Sequence, residues 1–86
     1  MVRNPLHRVK VDVKKIGHHN AVGLAYKDEN RIVVDPDQTA FSEMDTYIHQ
    51  FLHLADKRMS EARVAKMATM LANNLWRVGY RKAKLR

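Results

Sequence analysis

The sequence predicts an α+β fold in which a small antiparallel or mixed sheet is covered by two helices. Three patterns predict it: an alternating apolar segment near the start, two apolar runs at hairpin spacing, and two stretches with apolar residues at helical spacing. The order strand, hairpin, helix, helix is typical of an α+β layer. The 86 residues suffice for one small domain, with a core over 8–79 and a basic tail over 80–86.

The predicted sheet is formed by the first part of the chain. Residues 8–16 alternate between apolar and polar, which predicts a strand with one buried face. That face carries three valines, Val9, Val11 and Val13. Residues 22–26 and 31–35 are apolar runs separated by four polar residues, a spacing typical of a β-hairpin. Pro36 ends the second hairpin strand, because proline has no amide hydrogen for a ladder.

Two helices are predicted after the hairpin. The first begins at Ser42, which forms a start similar to a capping box with Asp45. Its apolar residues follow at helical spacing: Met44, Ile48, Leu52 and Ala55. Ser60 caps the second helix and Gly79 ends it. The apolar stripe of this helix consists of Val64, Met67, Ala68, Leu71, Leu75 and Val78.

Composition narrows the classes of function. The chain has no cysteine, so any metal site must use histidine, carboxylate or backbone and water oxygens. No apolar run reaches the roughly 20 residues that span a bilayer, and the charged start does not suit a signal peptide. We therefore expect a cytoplasmic protein with no membrane partner. The net charge of +7 makes nucleic acid a possible partner, but no reader motif accompanies it.

The chemically informative pair is His49 and His53, which lie four residues apart on the first predicted helix. That spacing places both imidazoles on one face, close enough to share one tetrahedral metal ion. The alternative is a pair of hydrogen-bonded histidines beside the apolar stripe, with no ligand. His18 and His19 form a second pair in a predicted loop, where they either lie on the surface or line a cleft.

The segment around these histidines resembles a known family. Residues 45–53, Asp-Thr-Tyr-Ile-His-Gln-Phe-Leu-His, are similar to the active-site helix of small HExxH metallopeptidases. Residues 59–64 and 72–81 resemble very short zincin-like proteins of phages and bacteria, and 31–35 is similar to the strand beside the zinc helix. The resemblance covers 22–81. It implies a minimal zincin core, one zinc ion and hydrolysis of peptide bonds, in a bacterial or phage-infected cell.

Residue 50 departs from the family pattern. In HExxH enzymes a glutamate at this position takes a proton from the zinc-bound water. Gln50 has nearly the same shape and can hydrogen-bond water, but its amide cannot accept a proton. The resemblance therefore predicts an inactive or very slow peptidase, which is either an engineered Glu→Gln variant or a native pseudoenzyme.

A third protein ligand is needed for a catalytic zinc site. Downstream of His53 only Asp56 and Glu61 carry carboxylates, and Glu61, at the start of the second helix, resembles the third ligand of gluzincins. Asp56 is the alternative ligand. Asp45 lies one turn before His49. Its carboxylate either orients the His49 ring as an outer-shell partner or serves only to cap the helix.

Three functions follow from these observations. The first is a zinc metallopeptidase that binds a peptide or protein substrate as a strand added to the hairpin strand Arg31, Ile32, Val33 and Val34. The second is a basic, metal-containing module that binds nucleic acid or an acidic protein. The third is a structural domain without metal.

Overall fold

The computed structural model describes residues 8–17 and 21–83. Three strands form one sheet, and two helices follow: β1 (Lys10–Val13), β2 (Gly23–Tyr26), β3 (Arg31–Val34), α1 (Ala40–Ala55) and α2 (Glu61–Arg77). The predicted α+β class and order of elements are confirmed. Within the described ranges, neither helix combines the length and the apolar character needed to cross a membrane.

The sheet is mixed, with the strand order β1-β3-β2. β3 pairs with β1 in parallel and with β2 in antiparallel fashion. The predicted hairpin is therefore present as β2 and β3, and its loop is a 3-10 turn over Lys27–Glu29 followed by Asn30. Asn30 has a φ of 49°, a left-handed conformation that asparagine tolerates better than most residues.

The predicted buried face of β1 is in fact largely open. Val9 packs against the core, but Val11 and Val13 are 39% and 49% exposed. The prediction was wrong here because α1 packs on β2 and β3, whereas β1 lies on the far side of β3. Alternation identified the strand, but it could not show that the helices leave this edge of the sheet uncovered.

The first helix starts earlier than predicted. Thr39, not Ser42, is its N-cap, and the Thr39 side chain accepts a hydrogen bond of 3.1 Å from the Ser42 amide. The Ser42 hydroxyl instead donates to Gln38 Oε1 at 2.6 Å. Thr39 has the extended backbone that a cap requires, so the chain enters the helix as soon as the turn after β3 is complete.

The second helix has the predicted ends. The Ser60 hydroxyl accepts from the Arg63 amide at 3.1 Å. At the other end the Tyr80 amide donates to the Leu75 carbonyl and the Gly79 amide to the Trp76 carbonyl, both at 3.0 Å. This is a Schellman motif, in which Gly79 takes the positive φ of 103°. The residues that α2 buries are small, Val64, Ala68 and Ala72, and small residues allow its backbone to approach α1.

The core lies between α1 and the centre of the sheet. Ile32, Val34 and Leu54 form the buried cluster, and Ala25 packs against it. Gly23 lies two residues before Ala25 on β2. It is so close to α1 that a Cβ there would fall 2.6 Å from Thr46 Cγ2 and 2.7 Å from Gln50 Nε2. The missing side chain at Gly23 is what allows α1 to lie directly against the edge strand.

A buried carboxylate joins the segments that follow β1 and β3. Asp35 accepts from the backbone amide of Asp37 at 2.9 Å and from that of Ile16 at 3.1 Å. These two hydrogen bonds, that of Asp37 first, lower the pKa of Asp35 below its ordinary value of 3.8 against the opposing effect of burial. Since both donors are amides, the ionised form of Asp35 is the one that the fold stabilises.

We expect Gly23→Ala to destabilise the fold by about 1–3 kcal/mol, because Thr46 and Gln50 must move to admit the methyl group. Urea denaturation measures the change in the free energy of unfolding. Adding Thr46→Ser removes the clashing Cγ2 while keeping the hydroxyl, so the double variant should recover part of the loss. Equal stability of Gly23→Ala and the parent would show that the close approach is absent.

We expect Asp35→Asn to lower stability at neutral pH and to weaken the dependence of stability on acid pH. The pKa of Asp35 is lower in the folded chain, so its contribution is present above the ordinary value of 3.8 and is lost as the pH falls through the folded value. Thermal denaturation between neutral pH and about pH 2 measures this dependence. Asp28→Asn, in the exposed 3-10 turn, is the control. Parallel pH profiles for the parent and Asp35→Asn would contradict the assignment.

Candidate metal centre

Two consecutive turns of α1 present the histidine pair. His49 and His53 lie on the same face of the helix, with ring centroids 4.9 Å apart. Their side chains are 22% and 13% exposed, so both rings are largely covered while one edge of each remains accessible. The two imidazoles therefore lie on one helix face, as predicted, with their ring planes tilted by 57°.

Glu61, the first residue of α2, completes the group. The Glu61 carboxylate contacts His49 Nε2 through Oε1, and its Oε2 lies 3.2 Å from His53 Nε2. One potential ligand atom from each residue falls within 4.8 Å of the others. His49, His53 and Glu61 form a metal group that could hold a metal ion, and they are the three residues that the sequence predicted as ligands.

The carboxylate is ionised in this setting. Burial raises the pKa of Glu61, but the hydrogen bonds and charges of His49 and His53 outweigh that effect, and the pKa lies below its ordinary value. The Glu61 side chain is nevertheless 72% exposed, so it forms the solvent side of the group while the rings form the protein side. The group thus combines two imidazole nitrogens with a negative charge at an open rim.

Only one nitrogen of the His53 ring has a hydrogen-bond partner. Nε2 contacts Glu61, whereas Nδ1 is buried and makes no hydrogen bond within the described residues. With Nε2 protonated, the ring donates to Glu61 and leaves only an unused lone pair at Nδ1. A metal ion on Nε2 would require the proton to be on Nδ1, where metal-binding histidines usually have an acceptor that orients them. His53 is therefore held by packing and by Glu61 rather than by a partner behind the ring.

The group opens into a cleft of about 590 Å³. α1 forms the floor, and β2 and α2 form the two walls. The wall and floor residues beyond the metal group are small or polar for the most part: Val22, Gly23, Leu24, Ala25, Lys27, Ser42, Asp45, Thr46, Gln50, Ala65 and Thr69. The cleft therefore runs along an edge strand and past the three candidate ligands.

Gln50 lies in this cleft beside the histidines. It is only 9% exposed, and its Nε2 packs against the backbone of Gly23. The position after the first histidine thus faces the same space as the metal group, where a glutamate would sit in an HExxH site. The amide can donate and accept hydrogen bonds there, but it cannot take up a proton.

Two carboxylates predicted for supporting roles have other partners. Asp56, the alternative third ligand, accepts from the Arg58 amide at 3.0 Å in the turn after α1, outside the metal group. Asp45 accepts from the Thr69 hydroxyl at 3.3 Å, and no hydrogen bond joins it to the His49 ring within the described chain. Asp45 therefore connects α1 to α2 instead of orienting a ligand. His18 and His19 lie outside the described residues.

The predicted substrate strand needs correction. Arg31, Ile32, Val33 and Val34 form β3, which is the central strand and is paired on both sides. A paired strand has no free backbone groups for an added peptide. In the part of the chain that the structure describes, the edge strand beside the site is β2, which the sequence did not predict because the pairing of β1 with β3 is not encoded in local alternation. Gly23, a small residue in an apolar run, was the available signal of a close approach.

We expect the chain to bind one divalent transition-metal ion, measurable with Co²⁺ because its visible absorption reports coordination by the protein. His49→Ala, His53→Ala and Glu61→Ala should each weaken Co²⁺ binding at least tenfold, since each removes one of three ligands. Asp56→Asn removes a nearby carboxylate outside the group but keeps the acceptor for the Arg58 amide, so it is the control. Equal loss of affinity in Asp56→Asn and Glu61→Ala would exclude the assigned third ligand.

Comparison of the chain with protein-family models, with curated proteins and with solved structures gives no match.

Proposed function

We propose that this chain is a zinc-dependent metallopeptidase domain of the zincin type, with Gln50 in place of the general base. The observation that carries the proposal is the convergence of His49, His53 and Glu61 in a cleft that an edge strand borders. Neither the histidine spacing nor the cleft would support it alone. Together they supply a ligand set and a cleft long enough for an extended substrate, with Gln50 among the lining residues.

The donor set suits zinc. Two imidazole nitrogens and one carboxylate are the ligands of one common class of catalytic zinc site, which leaves a further position open. Ligand atoms around tetrahedral zinc are about 3.3 Å apart for bonds of about 2.0–2.1 Å, so side chains already within 4.8 Å need only small adjustments. Zinc bound there would supply a Lewis acid that makes water nucleophilic near neutral pH.

The edge strand supplies a binding mode for a peptide. Among the described residues β2 pairs only with β3, and the residues of its other edge border the cleft. An extended peptide that added to β2 would be held by main-chain hydrogen bonds and would pass over His49 and Gln50. These main-chain hydrogen bonds do not depend on the side chains of the peptide, so any sequence preference would come from the residues that line the cleft.

Gln50 sets the limit on catalysis. From its buried position beside Gly23, its amide can hydrogen-bond a water or a substrate carbonyl in the cleft. It cannot carry a proton from the water to the leaving amine. General-base catalysis contributes a factor of about 100 to 10,000, so hydrolysis by the chain in this form should be slow by at least that amount.

We expect Gln50→Glu to increase peptide hydrolysis by about 100-fold or more in the presence of zinc, because it adds the missing proton acceptor at an unchanged position. The experiment follows the intact mass of the protein, whose residues 80–83 are exposed, together with an unfolded protein and a panel of extended peptides.

The double variant Gln50→Glu/His53→Ala is the control, since it carries the base but lacks a ligand, and it should be inactive. Zinc content is measured on every sample. If Gln50→Glu holds one zinc and cleaves nothing, the peptidase proposal fails and the alternative of a basic, metal-containing binding module is favoured. If no sample holds zinc, the proposed cofactor is wrong.

A further inference from the structure

One carboxylate in the cleft has no ion pair with a lysine or arginine of the described residues, whereas four other carboxylates of the chain do. Asp45 lines the cleft and accepts a single hydrogen bond of 3.3 Å from the neutral Thr69 hydroxyl. No lysine or arginine of the described chain lies within ion-pair distance of it. Its negative charge is therefore directed at solvent within the cleft.

The chain has a net charge of +7, and four other carboxylates lie within ion-pair distance of a lysine or arginine. Arg31 pairs with Asp12 and Glu29, Lys15 with Asp37, and Lys82 with Glu43. Glu61 contacts the rings of His49 and His53, and Asp28 lies in the exposed 3-10 turn outside the cleft. Asp35 and Asp56 accept from backbone amides. Asp45 and Glu61 are the carboxylates that line the cleft, and among the described residues no ion pair includes Asp45.

The cleft is also polarised along its length. β2 runs in the same direction as α1: Gly23 lies beside Thr46 and Gln50, and Lys27 donates to the Lys57 carbonyl just beyond the end of α1. The negative charge of Asp45 therefore marks one end of the cleft, and the positive charge of Lys27 marks the other.

This polarity gives a bound peptide a direction and a spacing. Asp45 precedes His49 by one turn, about 5.4 Å along α1, and an extended chain advances about 3.3 Å per residue. A strand added antiparallel to β2 runs from the Lys27 end towards Asp45. The side chain that meets Asp45 then belongs to a residue about two positions after the one beside His49.

We propose that Asp45 selects peptides with a lysine or arginine side chain at that position. The inference rests on the proposed binding of a peptide along β2, but it does not require that the peptide be cleaved. Ser42 and Thr69 are small polar neighbours that leave room for a long basic side chain. The ammonium or guanidinium group would take the place of the cation that Asp45 lacks.

The test is a binding assay with two fluorescein-labelled peptides of alanine, serine and threonine, one with a central lysine and one with glutamine in its place. Fluorescence anisotropy with zinc-loaded protein gives the ratio of the two dissociation constants. We expect the lysine peptide to bind about fivefold more tightly, and the ratio to fall as salt screens the pair.

Asp45→Asn should bring the ratio close to one, because asparagine keeps an acceptor for Thr69 but loses the charge. Asp45→Lys should reverse the preference in favour of a glutamate peptide. Glu43→Gln removes the same charge from the other face of α1 and should leave the ratio unchanged.

An equal affinity for both peptides in the parent protein, or a ratio that survives Asp45→Asn, overturns the inference, as does the absence of saturable binding by either peptide. Repeating the assay with a chelator separates this result from the proposed function. A lysine preference that persists without zinc supports Asp45 even where the metal assignment fails, and bound zinc with no preference supports only the metal assignment.

Discussion

The close contact between α1 and β2 at Gly23 is the constraint on which the rest of the structure depends. Because Gly23 has no side chain, Thr46 and Gln50 lie directly against the edge strand. That contact fixes how α1 is rotated on the sheet. Leu54 then faces Ile32 and Val34, while His49 and His53 face the space beside β2. The same packing of α1 on the sheet therefore forms both the core and the candidate site.

The metal group needs one further element, which is the short turn between the helices. Ser60 caps α2 immediately after the turn that Asp56 stabilises, so Glu61 stands at the very start of the returning helix. The buried Ala68 and Ala72 allow α2 to pack closely along α1. A carboxylate in the first turn of a helix is also favoured by the helix dipole. Local capping and helix packing together place Glu61 across from both histidine rings.

In the proposed function, binding and chemistry rest on different residues of the cleft. The edge of β2 and the charge of Asp45 would hold an extended, basic peptide. Gln50 packs against β2 at Gly23, and its amide cannot take up the proton that hydrolysis requires to be transferred. The proposed binding of a peptide is therefore tested separately from its cleavage.

The sequence by itself determined the elements whose signals are local. Alternation over 8–16, the hairpin spacing, the Ser60 cap and the Gly79 stop all depend on neighbouring residues, and four-residue spacing alone places His49 and His53 on one helix face. The tertiary structure decided what depends on distant contacts. The parallel pairing of β1 made β3 central and left β2 as the edge beside the site, which moved the expected peptide-binding strand from Arg31–Val34 to Gly23–Tyr26. The packing of α2 on α1 placed Glu61, and not Asp56, beside the two histidines, and it left Asp45 facing the cleft. These positions depend on how the two helices approach each other and not on residues adjacent in the chain.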